Sequence, residues 1–127
     1  MSRRIFSRAL PALASVAVLL VAGSSMAQAS VKAHPAAAAT KVTVKASEYK
    51  FVLSTKTLKK PGTVTFAITN KGHISHDFSI NKKTSKLLSP GKSTTLTVKF
   101  AKKGSYYYEC TVPGHAALGM KGYFTVK

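Results

Sequence analysis

The stretch CTVPGHAALGM, residues 110–120, holds the only cysteine of the chain, one of its four histidines and one of its three methionines. Cys110, His115 and Met120 follow one another as C-x4-H-x4-M, and His76 stands 34 positions before the cysteine. A thiolate, two imidazoles and a thioether form a soft donor set of the kind that holds copper in small redox sites. Zinc accepts some of these donors, but structural zinc sites favour further cysteines or histidines and make little use of methionine.

A single cysteine excludes a disulfide within the chain, so Cys110 is a spare thiol, an intermolecular bridge or a metal ligand. Taken one at a time, these residues have ordinary readings. A lone cysteine is commonly a small buried hydrophobe, a methionine beside a strand is commonly core, and His115 follows Pro113-Gly114 as a turn residue would. Their order, spacing and strand parity together favour the metal site. His73, three residues before His76, is expected in an exposed loop and outside the donor set, and His34, before Pro35, is expected to be solvated.

The elements that must position these donors read as strands. KVTVKA puts Val42, Val44 and Ala46 on one face, TVTFAIT does the same with Val64, Phe66 and Ile68, and TTLTVKF with Leu96, Val98 and Phe100. Pro61-Gly62, Asn70-Lys71-Gly72, Ser89-Pro90-Gly91 and Lys102-Lys103-Gly104 supply turns between them. No stretch keeps a helical period, and the turn spacing predicts an all-β sandwich of about seven or eight short strands. In HDFSI, His76 shares parity with Phe78 and Ile80, which turns its ring inward and Asp77 the other way. Tyr106 and Tyr108 share parity with Cys110, and Met120 with Phe124 and Val126, so three strand ends aim donors at one end of the core.

The segment YYYECTVPGHAALGMKGYFTVK, with NKGHISHDFSI and LLSPGKSTTLTVKF before it, closely resembles the cupredoxins, the small blue-copper proteins. Its ligand loop is most similar to the auracyanin and rusticyanin kind, and the resemblance covers residues 41–127. It implies a Greek-key sandwich binding one mononuclear copper, with His76, Cys110 and His115 as equatorial ligands and Met120 as the axial one. It also implies that the His115 ring edge reaches the surface through an apolar patch, here Pro113, Ala116, Ala117 and Leu118, and passes electrons there. Many cupredoxins carry asparagine after the first histidine ligand. This chain has Asp77, whose carboxylate can accept a hydrogen bond from the Thr111 hydroxyl or a backbone amide but donates none unless protonated.

The chain of 127 residues begins with a segment that does not read as fold. Ser2, Arg3 and Arg4 precede an apolar run from Ala9 to Gly23, and Ser25-Met26-Ala27 has the small residues of a cleavage site. The run is broken by Pro11 and falls short of the roughly 20 residues that span a bilayer. Residues 1–27 are therefore expected to be a signal peptide, with Ala29 as a second cleavage candidate. SRRIFSR resembles a twin-arginine export signal, the general secretory route being the alternative. Residues 28–40 are Ala- and Pro-rich and predict a tether before the domain at 41–127. The expected location is extracytoplasmic, periplasmic or secreted.

All three arginines lie in the leader, leaving 17 lysines against Glu48, Asp77 and Glu109, a net charge near +14. That field favours acidic redox partners and anionic membrane or envelope surfaces. Lysine without arginine speaks against specific nucleic-acid recognition, where bidentate guanidinium contacts predominate. An enzyme is not expected. Three scattered acids offer no catalytic pair, and Ser75-His76-Asp77 is contiguous, so its side chains alternate in direction. A second copper centre would need more histidines or another cysteine. The sequence thus predicts a monomeric blue-copper electron carrier, with copper storage or delivery as the alternative function.

Overall fold

The computed structural model of the chain describes residues 37–127. The expected leader over 1–27 and residues 28–36 of the expected tether lie outside the described residues. Residues 37–39 are exposed and irregular, and the first strand begins at the next residue.

Four strands make the first sheet. β1 (Thr40–Ser47) turns back through residues 48–49 into β2 (Lys50–Leu53), while β4 (Gly62–Asn70) lies parallel to β1 and antiparallel to β7 (Ser93–Phe100), giving the order β2-β1-β4-β7. Their inner face carries the alternating apolar set, with Val42, Val44, Ala46, Val64, Phe66, Ile68, Val98 and Phe100 each no more than 1% exposed. The β-branched residues that suit a pleated strand also fill the outer face, where hydroxyls pair across strands. Thr65 meets Thr97 at 3.3 Å and Thr69 meets Ser93 at 2.9 Å.

The second sheet is shorter and more broken. β8 (Gly104–Glu109) pairs antiparallel with β9 (Lys121–Val126); β3 (Thr57–Leu58) runs parallel to β9, and β5 (Ser79–Ile80) and β6 (Lys83–Thr84) continue beyond β8 in the order β3-β9-β8-β5-β6. Between the sheets the Phe66 ring contacts Phe78, Phe100 and Phe124 at centroid separations of 5.2, 6.3 and 5.5 Å. Phe78 also lies 5.4 Å from Tyr108. Each such aromatic side chain contributes about 1.5–3 kcal/mol by leaving water.

The all-β sandwich matches the expectation, and the described residues contain no helix. The count of nine strands exceeds the expected seven or eight because β3, β5 and β6 have two residues each. The β5–β6 hairpin was invisible in the pattern. Its two-residue loop holds Asn81 and Lys82 at φ of 48° and 62°, and a lysine in that left-handed region replaces the glycine that usually announces such a turn. Strict alternation also fails around His76. His76, Asp77 and Phe78 are all buried, because His76 makes an isolated bridge to Leu88 and regular pairing starts only at Ser79. Asp77 faces away from the core as expected, but it faces protein and is shielded from solvent.

Candidate metal centre

β8 delivers Cys110 one residue past its end, and β9 begins one residue after Met120. The chain between them is knitted by its own backbone. The Cys110 N–H donates to the Met120 carbonyl at 3.0 Å, Met120 N–H to the His115 carbonyl at 3.1 Å, and His115 N–H to the Val112 carbonyl at 3.1 Å. Gly114 and Gly119, at φ of 85° and 111°, take the left-handed conformations that let the loop turn twice in so short a span. His76 arrives from the other side. Its N–H donates to the Leu88 carbonyl at 3.1 Å and its carbonyl accepts from Leu88 N–H at 2.8 Å.

Three donor atoms converge as a result. Nδ1 of His76 lies 3.2 Å from Nδ1 of His115, Cys110 Sγ lies 3.5 Å from the latter, and all three atoms are within 4.8 Å of one another. Donors bonded to one shared ion at about 2.0–2.3 Å stand roughly 3–4 Å apart, so the spacing suits a single metal. His76, Cys110 and Met120 are fully or almost fully buried, and His115 is 8% exposed. Burial holds His76 below the ordinary imidazole value, keeping its lone pair free, and pushes the Cys110 thiol up. A metal must therefore displace the thiol proton. Met120 is wholly buried, and its backbone bonds join it to both other residues of the loop. His73 is 97% exposed in its side chain and stands outside the cluster, as expected.

The donors are held by residues that sequence reasoning had not singled out. Asn70, fully buried at the end of β4, donates through Nδ2 to the carbonyls of Ile74 and Leu88, both at 2.8 Å, and accepts the Gly72 N–H at 2.8 Å. It thereby shapes the loop that carries His76. Glu48, after β1, accepts the N–H groups of His73 at 2.5 Å and Ile74 at 3.0 Å. Those two amides and its own hold its carboxyl down at about 2. Tyr49 sets the edge of its ring against His115 at a centroid distance of 5.1 Å and 74°. One signal for Glu48 was present: it continues the inward parity of Val42, Val44 and Ala46.

The model of the cupredoxin-like domain matches residues 13–126. The chain belongs to the cupredoxin-like family. Among solved structures, this cupredoxin is similar to dithionite-reduced auracyanin from the photosynthetic bacterium Roseiflexus castenholzii. The two are 25% identical with a TM-score of 0.62, over 71% of this chain and 98% of that one. Auracyanin B aligns at 22% identity and a TM-score of 0.59, covering 70% of this chain and 89% of its own. A copper-containing nitrite reductase from Thermus scotoductus shares the fold at 22% identity and a TM-score of 0.57, over 71% of this chain but only 28% of the reductase. Comparison with curated protein sequences finds no match.

In this cupredoxin Asp77 ties the segment that carries His76 to the loop that follows Cys110. Its Oδ1 accepts the Thr111 N–H at 2.6 Å and its Oδ2 accepts the Thr111 hydroxyl. Both partners donate, so the carboxylate needs no proton of its own to join the loops. The apolar residues expected around His115 divide by exposure: Pro113, Ala117 and Leu118 face solvent and Ala116 is half-buried.

Proposed function

We propose that this cupredoxin is an exported, non-enzymatic blue-copper carrier of single electrons, with His76, Cys110 and His115 as strong donors to one copper and Met120 as a weak fourth. The observation that carries the reading is the convergence of two buried Nδ1 atoms and one buried Sγ within 4.8 Å. When bound, copper supplies a one-electron couple between Cu(II) and Cu(I). The remaining work belongs to the chain. His76 and Cys110 anchor the site from two separate loops, and the Asp77–Thr111 contact keeps those loops at a constant distance. His115 is the donor nearest to solvent, and Pro113, Ala117 and Leu118 give its surroundings an apolar surface against which a partner protein can exclude water. A set of four protein donors leaves no place for a substrate, which suits electron transfer without bond making.

The test is the absorption spectrum of the copper-loaded domain followed through repeated reduction and reoxidation. An intense blue band from thiolate charge transfer, regained over many cycles without loss of metal, is the expected result. A colourless Cu(II) protein would refute the copper assignment, and metal loss on each reduction would favour copper delivery over electron transfer.

A further inference from the structure

One nitrogen at the site is left without a partner. Nε2 of His76 is buried and makes no well-formed hydrogen bond. Glu48 Oε1 stands 3.5 Å from it, at the outer edge of hydrogen-bonding range. A ligating imidazole orients itself and fixes its tautomer by donating from the nitrogen that does not face the metal.

We propose that Glu48 is the positioning residue for His76: its carboxylate accepts a hydrogen bond from Nε2–H, commits Nδ1 to the metal, and places a negative charge behind that ligand. The proposal rests on the copper reading given above. The surroundings of the carboxylate are built for it. Oε1 is also the oxygen that accepts the His73 and Ile74 amides, so two N–H groups and the His76 ring nitrogen of one loop gather around a single atom. Gly72 closes the cradle from below. A Cβ at that position would stand 2.8 Å from the Glu48 carboxyl carbon, closer than real Cβ atoms approach, so any other residue there would push the carboxylate out of its place. The acid is one of three in a chain whose mature part carries 17 lysines, yet it sits beside a candidate ligand. A fixed anion there stabilises the more positive oxidation state, Cu(II), relative to Cu(I).

Two effects are separable by substitution. Glu48→Gln keeps an oxygen at the Oε1 position and removes the charge. Its blue band should persist while the ratio of Cu(II) to Cu(I) affinity falls on the order of 5–10-fold, a rise in potential of about 40–60 mV at 59 mV per tenfold. Glu48→Ala removes the acceptor as well. In the Cu(I) protein, the slowly exchanging His76 Nε2–H signal in nitrogen-edited NMR should then disappear, and copper should dissociate faster. Gly72→Ala displaces the carboxylate without altering its charge and should reproduce the NMR change, which guards against misfolding of any one variant. A potential in Glu48→Gln equal to that of the wild type would overturn the charge effect. A His76 Nε2–H signal unchanged in both Glu48→Ala and Gly72→Ala would overturn the positioning role. Either failure in a protein that is blue leaves the copper reading intact, whereas a wild type without the blue band removes that reading instead.

Discussion

β4 and β7 of the first sheet keep register over eight residue pairs, from Gly62 opposite Phe100 to Thr69 opposite Ser93, whereas β5 of the second sheet pairs with β8 over only two. The regular sheet supplies no candidate donor. Cys110 and Met120 adjoin strands of the broken sheet, His76 lies three residues before another, and His115 lies in the loop between β8 and β9. Yet Asn70 and Glu48, which grip the His76 loop, come from the ends of β4 and β1. Long ladders resist local opening because many hydrogen bonds must break together. The candidate donors therefore sit on irregular chain, and the loop that carries His76 is gripped from the ends of long, regularly paired strands.

This division can be broken from the donor side first, where the largest effect is expected. Cys110→Ser should abolish the blue band completely while circular dichroism keeps the β signature, because the change is nearly isosteric and costs at most about 1–3 kcal/mol for a buried hydroxyl. Loss of the sandwich in that variant would mean that the thiol supports the fold and not the metal alone. Next comes the scaffold side. Asn70→Leu preserves volume but takes the side-chain partner from the Ile74 carbonyl and the Gly72 amide and leaves the Leu88 carbonyl with the His76 N–H alone, so denaturant unfolding of the metal-free protein should lose about 2–3 kcal/mol. A loss below about 0.5 kcal/mol would show that the His76 loop holds its shape without the first sheet.

The smallest effect sharpens the comparison through acidity. His76 is held below its ordinary value near 6.5 by burial, so the unfolded chain binds its proton at higher pH than the folded one does. Its contribution is present in full above about pH 6.5 and is lost as pH falls through the folded value. Metal-free protein should weaken on acidification with a slope of no more than about 1.4 kcal/mol per pH unit from this residue. Replacing His76 by Gln should flatten that slope, and an identical pH dependence in the variant would place the titration elsewhere.

What could be read before folding follows from how local each signal is. Cys110, His115 and Met120 were legible because one loop carries them at even spacing, and the core of β1, β4 and β7 because alternation needs no knowledge of partners. His76 was read by parity as facing inward and it is buried, although the strand assumed for it starts three residues later. Asn70, Glu48 and Tyr49 were not singled out. Their partners are the backbone of a loop and the edge of a ring, brought near only by tertiary packing. The role of Asn70 was hidden further by its own chemistry, since Asn-Lys-Gly reads as a turn whether or not its amide is buried.

The β5–β6 hairpin, which escaped sequence reading, reaches beyond its own sheet. Lys83 Nζ donates to the Thr97 carbonyl at 3.3 Å and Asn81 Nδ2 to the Lys99 carbonyl at 3.2 Å, both on the outermost strand of the first sheet. Those carbonyls would otherwise offer a foreign chain a row of acceptors along eight extended residues, the template from which aggregates grow by strand addition. The short hairpin thus acts as a guard rail over part of that edge, where two of the acceptors are already taken.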